Sequence, residues 1–116
     1  MLKIATILPY KENYTFSKAA AASLWVYDFY KYSKFKKNNY IFGCTDTKDY
    51  LSKNYININV NNIKSKFSSS TTKYCNNFIK KNKNIKFDII EIHNRPLVFN
   101  YLNNKVNSKF ILYFHN

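Results

Sequence analysis

A chain of 116 residues, 46% apolar and 19% aromatic, can bury one modest hydrophobic core and is too apolar to be intrinsically disordered. It contains no run of 18 apolar residues, so the sequence offers no candidate for a membrane-spanning helix. The net charge of +13 invites a nucleic-acid or anionic-membrane partner, but almost all of it is lysine spread along the chain among many asparagines. That distribution reads as solvated surface with no specific nucleic-acid partner. One segment, Lys31-Tyr32-Ser33-Lys34-Phe35-Lys36-Lys37, alternates lysine with rings and suits a peripheral contact with an anionic membrane. Cys44 and Cys75 are too few for a disulfide framework, which points to a reducing, cytoplasmic location with both thiols in or near the core.

In chain order, residues 3–8 form a β-rich run stopped by Pro9, too short in its apolar stretch to be a signal peptide. A loop over 10–16 follows, and Ser17 is the expected N-cap of a helix over 19–33. Four consecutive alanines favour that helix, and Ala22, Val26, Phe29 and Tyr30 give it an apolar face. Residues 40–43 and 55–58 read as strands. Residues 61–70 read as a polar loop with three consecutive serines, and 72–81 as a helix with Tyr74, Cys75, Phe78 and Ile79 on one side. A strand over 88–92, a helix opened by Pro96 and a strand over 110–114 complete the chain.

This alternation predicts an α/β, three-layer, Rossmann-like domain over residues 1–116, with a parallel sheet in the order 3-2-1-4-5. The apolar runs at 89–92 and 110–114 imply strands covered on both faces. Gly43 is the only glycine, so GxGxxG, the P-loop and the GxSxG elbow cannot be written, and the enzymes that rely on them are excluded. No HExxH or cysteine cluster supplies a metal site.

What remains is polar chemistry at the strand ends. Two strands close on the same pair, His93-Asn94 and His115-Asn116. In a parallel sheet both imidazoles emerge at the carboxyl edge, where such sheets bind ligands. Glu91 and His93 share a strand face, either as a carboxylate that orients an imidazole and raises its pKa or as a purely structural pair. Asn94 either meets ligand or ends its strand in an Asx turn. Arg95, the only arginine among nineteen basic residues, suits bidentate phosphate or carboxylate recognition, or a structural ion pair. Lys11, Glu12 and Lys18 lie in the first strand-helix loop at the same edge, as solvated charges or ligand contacts.

The segments Ile-Leu-Pro-Tyr-Lys-Glu-Asn (7–13), Ser-Lys-Ala-Ala-Ala-Ala-Ser-Leu-Trp-Val (17–26), Asp-Ile-Ile-Glu-Ile-His-Asn-Arg-Pro (88–96) and Tyr-Phe-His-Asn (113–116) resemble the N-terminal half of bacterial family 4 (group 1) glycosyltransferases. The resemblance spans nearly the whole chain and is most specific in HNRP and YFHN. It implies the N-terminal half of a GT-B fold, truncated at its C-terminal end and lacking the domain that holds the nucleotide-sugar. It implies metal-independent sugar transfer to a saccharide or lipid-linked acceptor in polysaccharide or lipopolysaccharide synthesis. The nucleotide-sugar would be a co-substrate and no other cofactor would be needed. His115 matches the family histidine that contacts the reacting sugar, while His93, Asn94, Arg95, Glu91, Asn116, Lys11, Glu12 and Lys18 would line the acceptor side. Alanines stand where many members place a glycine pair near the donor phosphates, and the chain alone is expected to be inactive. The alternative from another class is a small basic α/β module that binds nucleic acid or anionic membrane without catalysis.

Overall fold

The computed structural model describes residues 2–60 and 69–115; the greater part of the expected polar loop (61–68) and Asn116 lie outside the described residues. Five strands form one all-parallel sheet in the order β3-β2-β1-β4-β5, as the alternation of elements predicts. They are β1 (Ile4–Ile7), β2 (Asn39–Gly43), β3 (Tyr55–Asn57), β4 (Ile89–His93) and β5 (Lys109–Tyr113). Between them run α1 (Ala21–Tyr32), a 3-10 turn over Lys36–Asn38, α2 (Ser70–Lys81) and α3 (Pro96–Asn103). β1 sits at the centre, with Ile4 in register with Asn39 on one side and Ile89 on the other, and all four of its residues are buried. The order turns back between β1 and β4, so the connections leaving those two strands diverge and open a crevice at their carboxyl ends.

Side-chain alternation divides the core into two layers. Ala5, Ile7, Phe42, Ile90 and Ile92 point to one face, where Tyr74, Cys75 and Phe78 of α2 and Val98 and Leu102 of α3 cover them. Fully burying side chains of this size contributes about 1.5–3 kcal/mol each, so this layer dominates the fold. On the opposite face α1 packs on the β1–β2–β3 half through Val26, Ile41, Tyr14, Leu51 and Tyr55, and its Trp25 reaches the carboxyl ends of β4 and β5. The rest of the β5 surface on that face is left open, with Ile111 37% exposed. β5 therefore departs from the expected two-sided burial: it is an edge strand, with Lys109 and Ile111 exposed, and its apolar run reflects one covered face and one open one.

Three local expectations are corrected. Ser17 does not cap α1, which begins at Ala21, because its backbone and side chain turn instead to Asp49 and Thr47. Glu12 caps the helix from the preceding loop: its Oε1 accepts from the backbone N–H groups of Ala22 (3.0 Å) and Ser23 (3.3 Å). The apolar face of α1 is narrower than its spacing suggests, with Ala22, Ser23 and Val26 buried and Phe29 53% exposed. Within the serine run, Ser69 is the N-cap of α2, its hydroxyl accepting from the Thr72 N–H at 3.1 Å, so the helix starts two residues before Thr72.

Gly43 is required by packing. A Cβ there would sit 2.8 Å from the Tyr55 hydroxyl and 3.1 Å from its ring. That ring cannot simply swing away, because it stacks on Tyr14 with centroids 5.2 Å apart and its hydroxyl bonds to Thr45 (2.8 Å) and Asn57 (2.9 Å).

Candidate functional site

The crevice between the β1–α1 and β4–α3 loops forms an open cleft of about 450 Å³. Six of the residues singled out from sequence line it: Lys11, Glu12, Lys18, Asn94, Arg95 and His115. Tyr10 and Asn13 of the same 7–13 segment join them, with no role assigned to them by the sequence. Both loops leave their strands through a residue in the left-handed region, Lys11 at φ 67° and Asn94 at φ 56°. Asparagine tolerates that conformation and lysine pays for it, so the turn after Pro9, closed by the Glu12 N–H to Pro9 carbonyl bond, holds Lys11 at a cost.

The charges of the cleft sort by partner. Glu12 spends its carboxylate on the first turn of α1, so the N-terminal end of that helix is already satisfied from within the protein. Lys11, Lys18 and the Arg95 guanidinium remain at the rim, all exposed. Arg95 caps α3 by position and places one guanidinium nitrogen 3.4 Å from the Asn94 carbonyl. This is a cationic mouth suited to a phosphate or carboxylate, with the anion held by side chains and not by the helix terminus.

At the back of the cleft the repeated His-Asn motif acquires a structural meaning: the first copy clamps the second histidine. Residues 93 and 113 are in parallel register, so β4 and β5 deliver their following residues side by side. Asn94 donates its backbone N–H to the Tyr113 carbonyl (2.8 Å), and its Oδ1 accepts the backbone N–H of His115 (2.6 Å). The rings meet as well, with His93 Nδ1 2.7 Å from His115 Nε2 and centroids 5.0 Å apart at 16°. Trp25 of α1 closes over both, 5.5 Å from the His93 ring and 5.2 Å from that of His115. Tyr113 stacks on His93 at 4.8 Å and also meets Trp25 at 5.5 Å. His115, half-buried, keeps its place in the lining of the cleft, and its Nε2 is taken by His93, which leaves Nδ1 as the nitrogen without a hydrogen bond among the described residues.

Two site residues stand elsewhere. His93 is only 1% exposed, so its ring supports His115 and does not itself reach a ligand in the cleft. Burial, reinforced by the nearby His115, pushes its pKa down to about 4, the opposite of the raised value expected from a carboxylate neighbour. Glu91 is not that neighbour. Its carboxylate accepts from the Thr6 hydroxyl (2.8 Å) and the Tyr113 hydroxyl (3.2 Å). The reason is sheet geometry: Thr6 lies directly across from Glu91 at one strand spacing, whereas residues two apart on one strand are separated by nearly seven ångströms. Thr6 in turn pairs with the buried Asn39, so Asn39, Thr6, Glu91 and Tyr113 make a polar row across the sheet beneath α1. Burial, with the Glu91 carboxylate beside it, raises the Tyr113 pKa. Between this row and α1 lies a space of about 10 Å³, enough for a single water. Asn116 falls outside the described residues.

Among the described residues no three His, Cys, Asp or Glu side chains converge as ligands for a metal ion, and no helix is long and apolar enough to cross a membrane. Comparison of the chain with protein-family models, curated proteins and solved structures gave no match.

Proposed function

We propose that the cleft is the acceptor side of a metal-independent glycosyltransferase of the family 4 type, acting on a saccharide or lipid-linked acceptor for cell-envelope polysaccharide at the cytoplasmic side of the membrane. The observation that carries the reading is the pairing of a fixed imidazole with a cationic rim at the switch point of the sheet. Lys11, Lys18 and Arg95 suit the phosphate or carboxylate of such a ligand. His115, held by its backbone through Asn94 and by its ring through His93, offers Nδ1 to a sugar hydroxyl. With Nε2–H directed at His93, Nδ1 is an acceptor for a hydroxyl proton; with the reverse tautomer it is a donor to a sugar oxygen. The nucleotide-sugar would be held by a second α/β domain facing this cleft, and this chain by itself would bind acceptor without transferring sugar.

The test is an amide-resolved NMR titration of the chain with glucose 1-phosphate, glucose and inorganic phosphate. Glucose 1-phosphate should shift Lys11, Lys18, Asn94, Arg95 and His115 together, and bind more tightly than either fragment. Arg95→Ala and His115→Ala should each weaken it about five- to tenfold, the worth of one charge-assisted or polar contact. Equal binding of inorganic phosphate would reduce the cleft to a simple anion site. A steeply salt-dependent affinity for an oligonucleotide through the same residues would favour the non-catalytic basic module.

A further inference from the structure

We propose that the outward face of α1 and the turn that follows it dock on an anionic lipid bilayer. α1 is amphipathic in an unusual sense, since its solvent side is as apolar as its buried side. Leu24, Trp25, Phe29 and Tyr32 recur at helical spacing on that outer side, exposed by 47, 39, 53 and 85%. Phe35, 46% exposed, continues the patch past the end of the helix. Trp25 and Phe29 lie nearly parallel with centroids 5.1 Å apart, so the rings form a contiguous surface. Around them stand Lys31, Lys34, Lys36 and Lys37, all exposed. The one acidic residue of the patch, Asp28, is already paired with Lys31 at 3.2 Å.

A row of rings on a helix side, bordered by lysines with long flexible stems, fits the interface between headgroups and acyl chains: rings enter the apolar boundary while ammonium groups stay with lipid phosphates. A second copy of the chain is a poor occupant, because the same lysines would oppose one another. Single-stranded nucleic acid also pairs with rings and lysines, and it is the competing occupant that the oligonucleotide arm of the test decides. The patch adjoins the cleft through Trp25, whose ring is 5.2 Å from that of His115, so docking would bring the cleft to the membrane surface. The inference does not depend on the chemistry proposed for the cleft.

Trp25 is the only tryptophan and reports directly on the patch. Vesicles of phosphatidylglycerol mixed with phosphatidylcholine, added to the intact chain, should shift its emission to the blue. Brominated acyl chains should quench it. Each of Lys34→Gln, Lys36→Gln and Lys37→Gln should weaken binding about fivefold. Phe29→Ser with Tyr32→Ser should remove most of the blue shift while the amide spectrum stays that of the folded protein. Absence of a blue shift with anionic vesicles, in the unaltered chain, overturns the proposal whatever the variants do. So does equal affinity for phosphatidylcholine alone, or an oligonucleotide that occupies the patch while vesicles do not.

Discussion

Acidification should destabilise this protein through His93. The native imidazole, held neutral near a pKa of about 4 by burial, regains an ordinary value near 6.5 when the chain unfolds. Between those values the unfolded state binds one more proton than the native state, so stability rises with pH across the window and is lost as pH falls from about 6.5 toward 4. The slope approaches about 1.4 kcal/mol per pH unit in mid-window, and the loss between about pH 7 and pH 4.5 amounts to roughly 2.4 kcal/mol. For a domain whose whole stability is on the order of 5–15 kcal/mol, that is a large share. Urea denaturation at several pH values, on the native protein and on His93→Gln, isolates the effect. The variant will be less stable at neutral pH because a packed ring is lost, but its stability should fall much less on acidification. Asp49, held at about 2 by its hydrogen bonds to Thr47 and Ser17, loses its contribution mainly below this window and does so in both proteins. Parallel pH profiles for the two proteins, or a His93 ring signal titrating near 6.5 in the folded state, would refute the reasoning.

Two further outcomes test the local physics. Glu12→Ala should destabilise the protein by about 0.5–2 kcal/mol, the usual worth of a helix cap, and should accelerate amide exchange selectively at Ala22 and Ser23, measurable by NMR. Gly43→Ala should cost about 1–3 kcal/mol by thermal denaturation, because the added methyl meets a Tyr55 ring fixed by stacking and two hydrogen bonds; Gly43→Ala with Tyr55→Phe, which removes the nearest atom, should recover part of it.

The strand order was legible because its signals are local: apolar runs of strand length, a proline after β1 and another opening α3, and an alanine run at the start of α1. The site was legible only in part. Residues at the carboxyl ends of β1 and β4 could be named because topology alone carries them to one edge. Which neighbour each one chooses depends on register across strands, and a pattern of two along one strand misassigned Glu91 to His93 when Thr6 and Tyr113 stood closer. The cap of α1 was missed for a similar reason, since Glu12 reaches it from ten residues away over a turn. Phe29 and Trp25 expose the limit of helical periodicity: spacing tells which residues share a face, not which face the sheet will meet. On that side Trp25 reaches over the carboxyl ends of β4 and β5 while Lys109 and Ile111 stay exposed, and only the three-dimensional arrangement reveals it.

The joined imidazoles constrain how this chain can vary. Replace His115 and the buried His93 is left with a nitrogen turned toward a group that can no longer answer it, in a place water scarcely enters; replace His93 and the half-buried His115 loses the partner that holds its ring. Positions 93 and 115 are therefore free to drift only as a couple. The damage from altering both should fall short of the sum of the separate losses, the mark of two sites that natural variation must rewrite in concert.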